Sequence, residues 1–589
     1  MGIRGLTAAL RPFASWEKLG GSVVIDGPAF AYHIFFACRL ESRVCTTLQD
    51  PPYSVLGSAA IRWLDNLQSR GSQVAAIYFD GYLPASKNDV RLGRVVESST
   101  ASNKYFLSTK SGIARDGDAR PSPRQAFPRI PVPAFTVPAI LEALRASERY
   151  GHLTHLVPGE ADSFCADHVN REGGALLTSD SDLLLYDLGQ HGSVVFLSDI
   201  EITAEESEVP LVLTYSQHAI CERLSLEPGQ QAMLSLAFEM ERDPYQKIAF
   251  WAAQSKKKHS ANTYPAEYAD FISEYVKGSD TRLTIPESLR FLDPRVSEFL
   301  LSWSEFLPTW GANVGVGSAA PQNVQKTVGS IVYLPLLLDR WDHESAWGPS
   351  TWMRQLAYSF CPSTSFGELM VTEYRRTMSR QSNGQAIELL RKHEMTETAH
   401  RLLSSCKAPN STAAGPSALG WVMFCLRQEN VHASEQGKES LVKELLRRAS
   451  KSKGKLDPGS WNTVHLTAQI QGTLYSLRIL YQTLQCLGGP LVTIAWPQLP
   501  VAKLVDCLST LPSIEDYPSI TDVAGMYGRL KDAGMLKDLS DITGLSGPVP
   551  SEGIGRTSER MKRRESKQEQ RKARPLPSAN PFDALGPCS

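Results

Sequence analysis

An α/β fold, a parallel sheet flanked by helices, is what the first third of this 589-residue chain predicts. Three observations lead there. Short apolar runs alternate with helical patterns over roughly the first 200 residues, as βαβ units require. Each run is rich in apolar residues, as strands covered on both faces are. Six carboxylates stand at or just beyond the ends of these runs, where open α/β sheets gather their ligand sites.

The strands are expected at Ser22–Ile25, Val74–Phe79, His152–Val157, Gly174–Thr178 and Ser193–Leu197. Helices are expected at Phe30–Arg39, Val55–Arg70, Val137–Tyr150 and Glu160–Arg171. These elements make a core over 1–204. Within it, residues 87–130 break the pattern: from Lys87 to Arg129 there are nine Lys/Arg against four Asp/Glu, among many Ser, Gly and Pro. This reads as a mobile basic insertion, either a solvated loop or a set of phosphate contacts. Residues 205–540 read as mainly helical, with segments such as Ala386–Ser405, Gly437–Ser452 and Thr473–Cys486. Nine of the eleven tryptophans fall between Trp251 and Trp496. Packing a second core is their expected role, with base stacking the lesser alternative. Residues 541–589 turn to Gly, Pro, Ser and charge and read as a disordered basic tail. Arg556 to Arg574 contains nine Lys/Arg, which suits nuclear import, a nucleic-acid tether or plain solvation.

Composition narrows the function. A formal net charge of −1 excludes a globally basic nucleic-acid binder, so any such surface is local. Ten cysteines without a CxxC pair give neither a zinc ribbon nor a disulfide framework. Reduced thiols in cytosol or nucleus fit this pattern. No apolar run reaches the roughly 18–20 residues of a membrane span, so no membrane partner is expected.

The carboxylates are Asp26 in VVIDG, Asp80 in IYFDG, Glu160 and Asp162 in VPGEADSFCA, and Asp180 and Asp182 in LLTSDSDLLLYD. Alone, Asp26 reads equally as a helix N-cap and Asp80-Gly81 as a turn. Together they repel, and a fold that gathers them has a use for a divalent cation; hard oxygen ligands suit Mg²⁺ or Mn²⁺. Two such ions supply a nucleophilic water and charge stabilisation for phosphodiester hydrolysis. The cluster therefore reads as the active site of a metal-dependent nuclease.

MGIRGL, VVIDG, YFDG, PGEADSFCA and LLTSDSDLLLY occur in the order seen in the XPG-like, flap-endonuclease superfamily, which the chain resembles over roughly residues 1–200. PVPAFTVPAILEAL before VPGEAD, and the long helical region, look like the Asteroid group within it. The resemblance implies a PIN-like sheet and makes Asp26, Asp80, Glu160, Asp162, Asp180 and Asp182 the ligands of two Mg²⁺ or Mn²⁺ ions. It implies that Lys87 and Arg94, two helical turns apart, face the scissile phosphate. Arg91, Lys104 and Lys110 join them as nucleic-acid contacts, and Gly2 matches a residue that packs near the family's active site. Asp243 in LSLAFEMERDPYQKIAFWAAQS matches a seventh family carboxylate, yet the glycines of the family's duplex-gripping hairpin are missing there. The expected substrate is DNA, ahead of RNA, with a branched or single-stranded end. The alternative is a non-catalytic nucleic-acid or protein scaffold that keeps the nuclease fold. Protein partners would use the helical region and the tail; a monomer and a nuclear location are the default expectations.

Overall fold

The computed structural model describes residues 3–42, 46–84, 87–113, 131–200, 209–275, 287–302, 331–360, 370–406, 415–451, 456–487 and 498–544. Met1–Leu539 form one compact body and Ser540–Ser589 a second unit.

A seven-stranded sheet organises the first half of the body. Its strands are β1 (Ser15–Lys18), β2 (Gly21–Asp26), β3 (Ser72–Asp80), β4 (Thr154–Val157), β5 (Gly174–Thr178), β6 (Gly192–Phe196) and β7 (Leu211–Tyr215), in the order β1-β7-β6-β5-β2-β3-β4. The five strands β6-β5-β2-β3-β4 run parallel, and each corresponds to an expected run. Two strands were not foreseen: β7 pairs antiparallel with β6, and β1 antiparallel with β7.

Helices α1 (Gly27–Glu41), α2 (Tyr53–Ser69), α3 (Asn88–Ser108), α4 (Thr136–Ala146) and α5 (Ala161–Glu172) connect and cover the strands. Where the sequence suggested a mobile insertion, Asn88–Ser108 form a 21-residue helix instead. The rest of that stretch, 114–130, lies outside the described residues. The buried positions of α3 are Leu92, Gly93, Ser99, Ser102, Tyr105 and Phe106, recurring at helical spacing.

The second half is mainly helical, as expected, but includes a three-stranded sheet: β8 (Ile331–Tyr333), β9 (Met370–Tyr374) and β10 (Gln385–Glu388), in the order β10-β9-β8. The helix expected from Ala386 begins only at Lys392, because β10 takes its first residues. Two helices matter below, α6 (Pro294–Ser302) and the central α7 (Trp461–Leu487). Trp251, Trp347, Trp421 and Trp461 are buried, so packing is the role of these four. Inside this half, Arg354 and Glu373 pair in full burial at 2.7 Å, with Tyr358 donating to the same carboxylate at 2.8 Å. Burial would push Glu373 up, but Arg354 and Arg375 hold it down at about 2.

The two halves pack closely. Phe106 meets the Trp461 ring at 4.9 Å, Phe135 stacks on Tyr475 at 4.6 Å, and Arg478 pairs with Glu142 at 2.9 Å. Near the sheet, Ser297 of α6 lies against Gly81, just after β3. A methyl group at Gly81 would collide with the Val157 backbone oxygen and stand 3.0 Å from Ser297 Oγ. Gly81→Ala should therefore destabilise the body by about 1–3 kcal/mol through overpacking. Thermal or denaturant unfolding measures this, and an unchanged midpoint would show that the turn can give way.

Candidate active site

Strands β5, β2, β3 and β4 are neighbours, and all six candidate carboxylates lie at their carboxyl ends. Asp26 ends β2, Asp80 ends β3, Glu160 and Asp162 follow β4, and Asp180 and Asp182 follow β5. Strand order reverses between β2 and β5, and ligand sites of open α/β sheets lie at such switch points.

Each side chain is fixed by local structure. Asp26 caps α1, accepting from Ala29 N–H at 3.2 Å, and accepts the Thr178 hydroxyl at 2.6 Å. Burial lifts its carboxyl to about 7, with Asp80 and Asp180 adding to the rise against the Thr178 bond. Asp80 accepts from Ala161 N–H at 2.7 Å, which ties β3 to the start of α5. It opens onto a cleft, yet the protein packed around it and the charge of Glu160 raise its pKa, opposed by Arg295 and Arg94. Asp182 accepts from Ile3 N–H at 2.9 Å and is lifted to about 6, by burial and by Asp180. Asp180 accepts from Asp182 N–H at 3.0 Å. Asp162 stands in the first turn of α5 and is pushed well up, by burial and then by Asp26, Asp80, Asp180 and Glu160. These groups act on one another, so they share one electrostatic neighbourhood.

The basic candidates divide. Lys87 Nζ pairs with Glu160 at 2.8 Å, so it faces the cluster. Arg94 lines the cleft beside Asp80 and makes no ion pair among the described residues. Arg91 pairs with Glu298 of α6 and lies over the Tyr333 ring at 4.8 Å. Lys104 and Lys110 are exposed and lie outside the cleft lining; Lys104 is ten residues past Arg94, or about 15 Å along a helix. Gly2 lies outside the described residues. Asp243 follows a helix, and its backbone oxygen accepts from Trp251 Nε1 at 2.9 Å.

The cleft has a volume of about 1420 Å³ and runs from α1 past Asp80 to residues of the second half. Tyr32 and Phe36 of α1 line it and are 45% and 53% exposed. Three contributors gave no sequence signal: Arg295, Glu298 and Tyr333, which reach the cleft from far along the chain. Thr178 was also missed, although it stands inside the LLTSDSD motif.

Hard carboxylate oxygens at one sheet end suit Mg²⁺ or Mn²⁺. Asp80 and Asp182 each use one oxygen for a backbone N–H, and the other takes no hydrogen bond among the described residues. Among those residues no three His, Cys, Asp or Glu side chains converge as a finished metal cage. The donor chemistry therefore fits divalent metal.

An α/β sheet with acidic residues gathered at its switch point defines a nuclease-like fold. The domain family described as "XPG domain containing" matches residues 132–389, which include Glu160, Asp162, Asp180 and Asp182. The chain is also 27% identical over 213 residues to Asteroid homolog 1 of Schizosaccharomyces pombe, covering 35% of this chain and 34% of that protein. The match thus spans about a third of the relative's length. Both likenesses point the same way, to an XPG-like protein of the Asteroid type.

The raised carboxylates set a pH dependence. Asp26 at about 7 and Asp182 at about 6 lie above the unfolded value, which is about 3.9. Between about pH 4 and 7 the folded state therefore holds protons that the unfolded chain has released, and their contribution to stability falls as pH rises. A bound dication replaces those protons. Thermal unfolding from pH 5 to 8 should show Mg²⁺ or Mn²⁺ raising the midpoint most at the alkaline end, relative to EDTA. Parallel curves with and without metal would separate the cluster from divalent cations.

Proposed function

We propose that the protein is a divalent-metal-dependent nuclease hydrolysing phosphodiester bonds in DNA, structure-specific in its choice of substrate. The observation that carries this reading is the set of six carboxylates at the ends of four adjacent strands, one of which, Asp80, lines a cleft with arginines and exposed aromatic rings.

Asp26, Asp80, Glu160, Asp162, Asp180 and Asp182 would hold two Mg²⁺ or Mn²⁺ ions. When bound, such ions lower the pKa of a water nucleophile and neutralise charge on the attacking and leaving oxygens. The chain's own residues do the remaining work. Arg94 offers its guanidinium to a phosphate beside Asp80, and a fork of donors matches two phosphoryl oxygens. Lys87, paired with Glu160, lies where it can move to a phosphate once the acidic charge is neutralised. Tyr32 and Phe36 offer faces on which bases of a single strand stack without regard to sequence. The hydrogen bonds from Ala29, Thr178, Ala161 and Ile3 fix the carboxylates before substrate arrives.

The Lys87–Glu160 pair, which occupies one candidate ligand, favours one second reading, a nucleic-acid-binding scaffold that does not cut. A nuclear location and a role in DNA repair accord with the nuclease reading and with the basic segment 556–574, which lies outside the described residues.

Labelled single strand, duplex, 5′ flap, 3′ overhang and RNA, each with Mg²⁺, Mn²⁺ or EDTA, test the proposal. Metal-dependent cleavage that falls at least about a hundredfold in Asp180→Asn, with the fold intact, is expected; mutation of one charge-stabilising group has this order of effect. Binding without cleavage under every metal would favour the scaffold.

A further inference from the structure

We propose that Arg295 is a phosphate-positioning residue of this cleft, donated by the second half of the chain and held ready by Glu298. The proposal rests on the nuclease reading of the carboxylate cluster.

Arg295 is the second residue of α6, and the start of that helix is firmly anchored. Its backbone N–H donates to Asp293 at 2.9 Å; Asp293 accepts the Tyr475 hydroxyl at 2.5 Å and donates its own N–H to Gln482 at 2.7 Å. Tyr475 and Gln482 belong to the buried central helix α7. Two residues on, Ser297 lies against Gly81, and its hydroxyl is buried with no hydrogen-bond partner among the described residues. Helix α6 is thus packed directly on the turn that follows Asp80. Arg295 and Arg94 line the same cleft from α6 and α3, and the charge of both acts on Asp80.

Glu298 faces two guanidiniums. It pairs with Arg295 at 3.0 Å and with Arg91 of α3. One carboxylate therefore answers two cations, and Arg94 nearby has no ion pair among the described residues. The Arg295 side chain is 38% exposed, and half-exposed ion pairs are weak enough to exchange. A backbone phosphate presents the same pair of acceptor oxygens as Glu298, so it can take over the exposed Arg295 while Glu298 keeps the more buried Arg91. A strand lying from the carboxylates along the cleft would then be gripped from both walls, by Arg94 on one side and Arg295 on the other. Structures built from the strand-bearing core alone would lack the second wall.

The test uses the full chain and a fluorescein-labelled single-stranded DNA. Binding is followed by anisotropy with Ca²⁺, at several salt concentrations, and cleavage with Mn²⁺. Arg295→Ala should weaken binding about five- to tenfold and make the log–log salt dependence shallower by about one phosphate contact. KM should rise while kcat changes less, and Arg295→Lys should recover part of the loss. Glu298→Gln should bind a few-fold more tightly, because two cations are freed. Thermal unfolding of each variant is read alongside. A lower melting point with an unchanged salt slope would assign Arg295 a structural role only and overturn the proposal. Cleavage by wild type with a fully wild-type Arg295→Ala would also overturn it, leaving the nuclease reading in place. No binding and no cleavage by wild type would remove both.

Discussion

Mutual repulsion among clustered carboxylates is the constraint on which the rest of this structure depends. Four neighbouring strands end in acidic residues, and Asp162 stands within the field of Asp26, Asp80, Asp180 and Glu160. Such a group is tolerated only if each member is anchored or neutralised. The anchors are visible: a helix N-cap and a buried threonine for Asp26, a backbone amide for Asp80, and the amide of Ile3 for Asp182. Neutralisation is partial, with Lys87 on Glu160 and the field of Arg94 and Arg295 on Asp80. The shortfall of positive charge is what the proposed divalent cations would make good.

The second half of the chain gives the cleft its opposite wall. Inside it lies a buried ion pair, Arg354 with Glu373, braced by Arg375 and Tyr358. Burial alone would cost such a group heavily, and only full satisfaction by hydrogen bonds makes it stable. Around it, α7 carries Tyr475 and Gln482 to the start of α6, so the position of Arg295 is set by contacts far from the sheet. The XPG-domain match, over 132–389, extends across the boundary between strand-bearing core and helical half and includes α6.

Much of this was legible in the residues. The five parallel strands announce themselves as apolar runs, because both faces of each are covered. The six carboxylates stand in those contexts, so their convergence on one sheet end followed from topology. What was hidden has physical reasons. Strand β1, SWEK, is mostly exposed and shows no apolar run. Helix α3 buries Gly93, Ser99 and Ser102 among its contacts, so it lacks the apolar stripe that marks a helix and read as a loop. Strand β9 carries the buried Glu373, a residue type that argues against a strand until its arginine partners are seen. Arg295 and Glu298 lie over two hundred residues from Asp80 in sequence, and only tertiary packing brings them to the cleft.

Anomalous diffraction from a crystal of the protein grown with Mn²⁺ tests the central claim most directly. The account predicts two peaks, about 4 Å apart, bounded by Asp26, Asp80, Glu160, Asp162, Asp180 and Asp182. A map with no anomalous density at the ends of β2, β3, β4 and β5, from protein saturated with Mn²⁺, would contradict it.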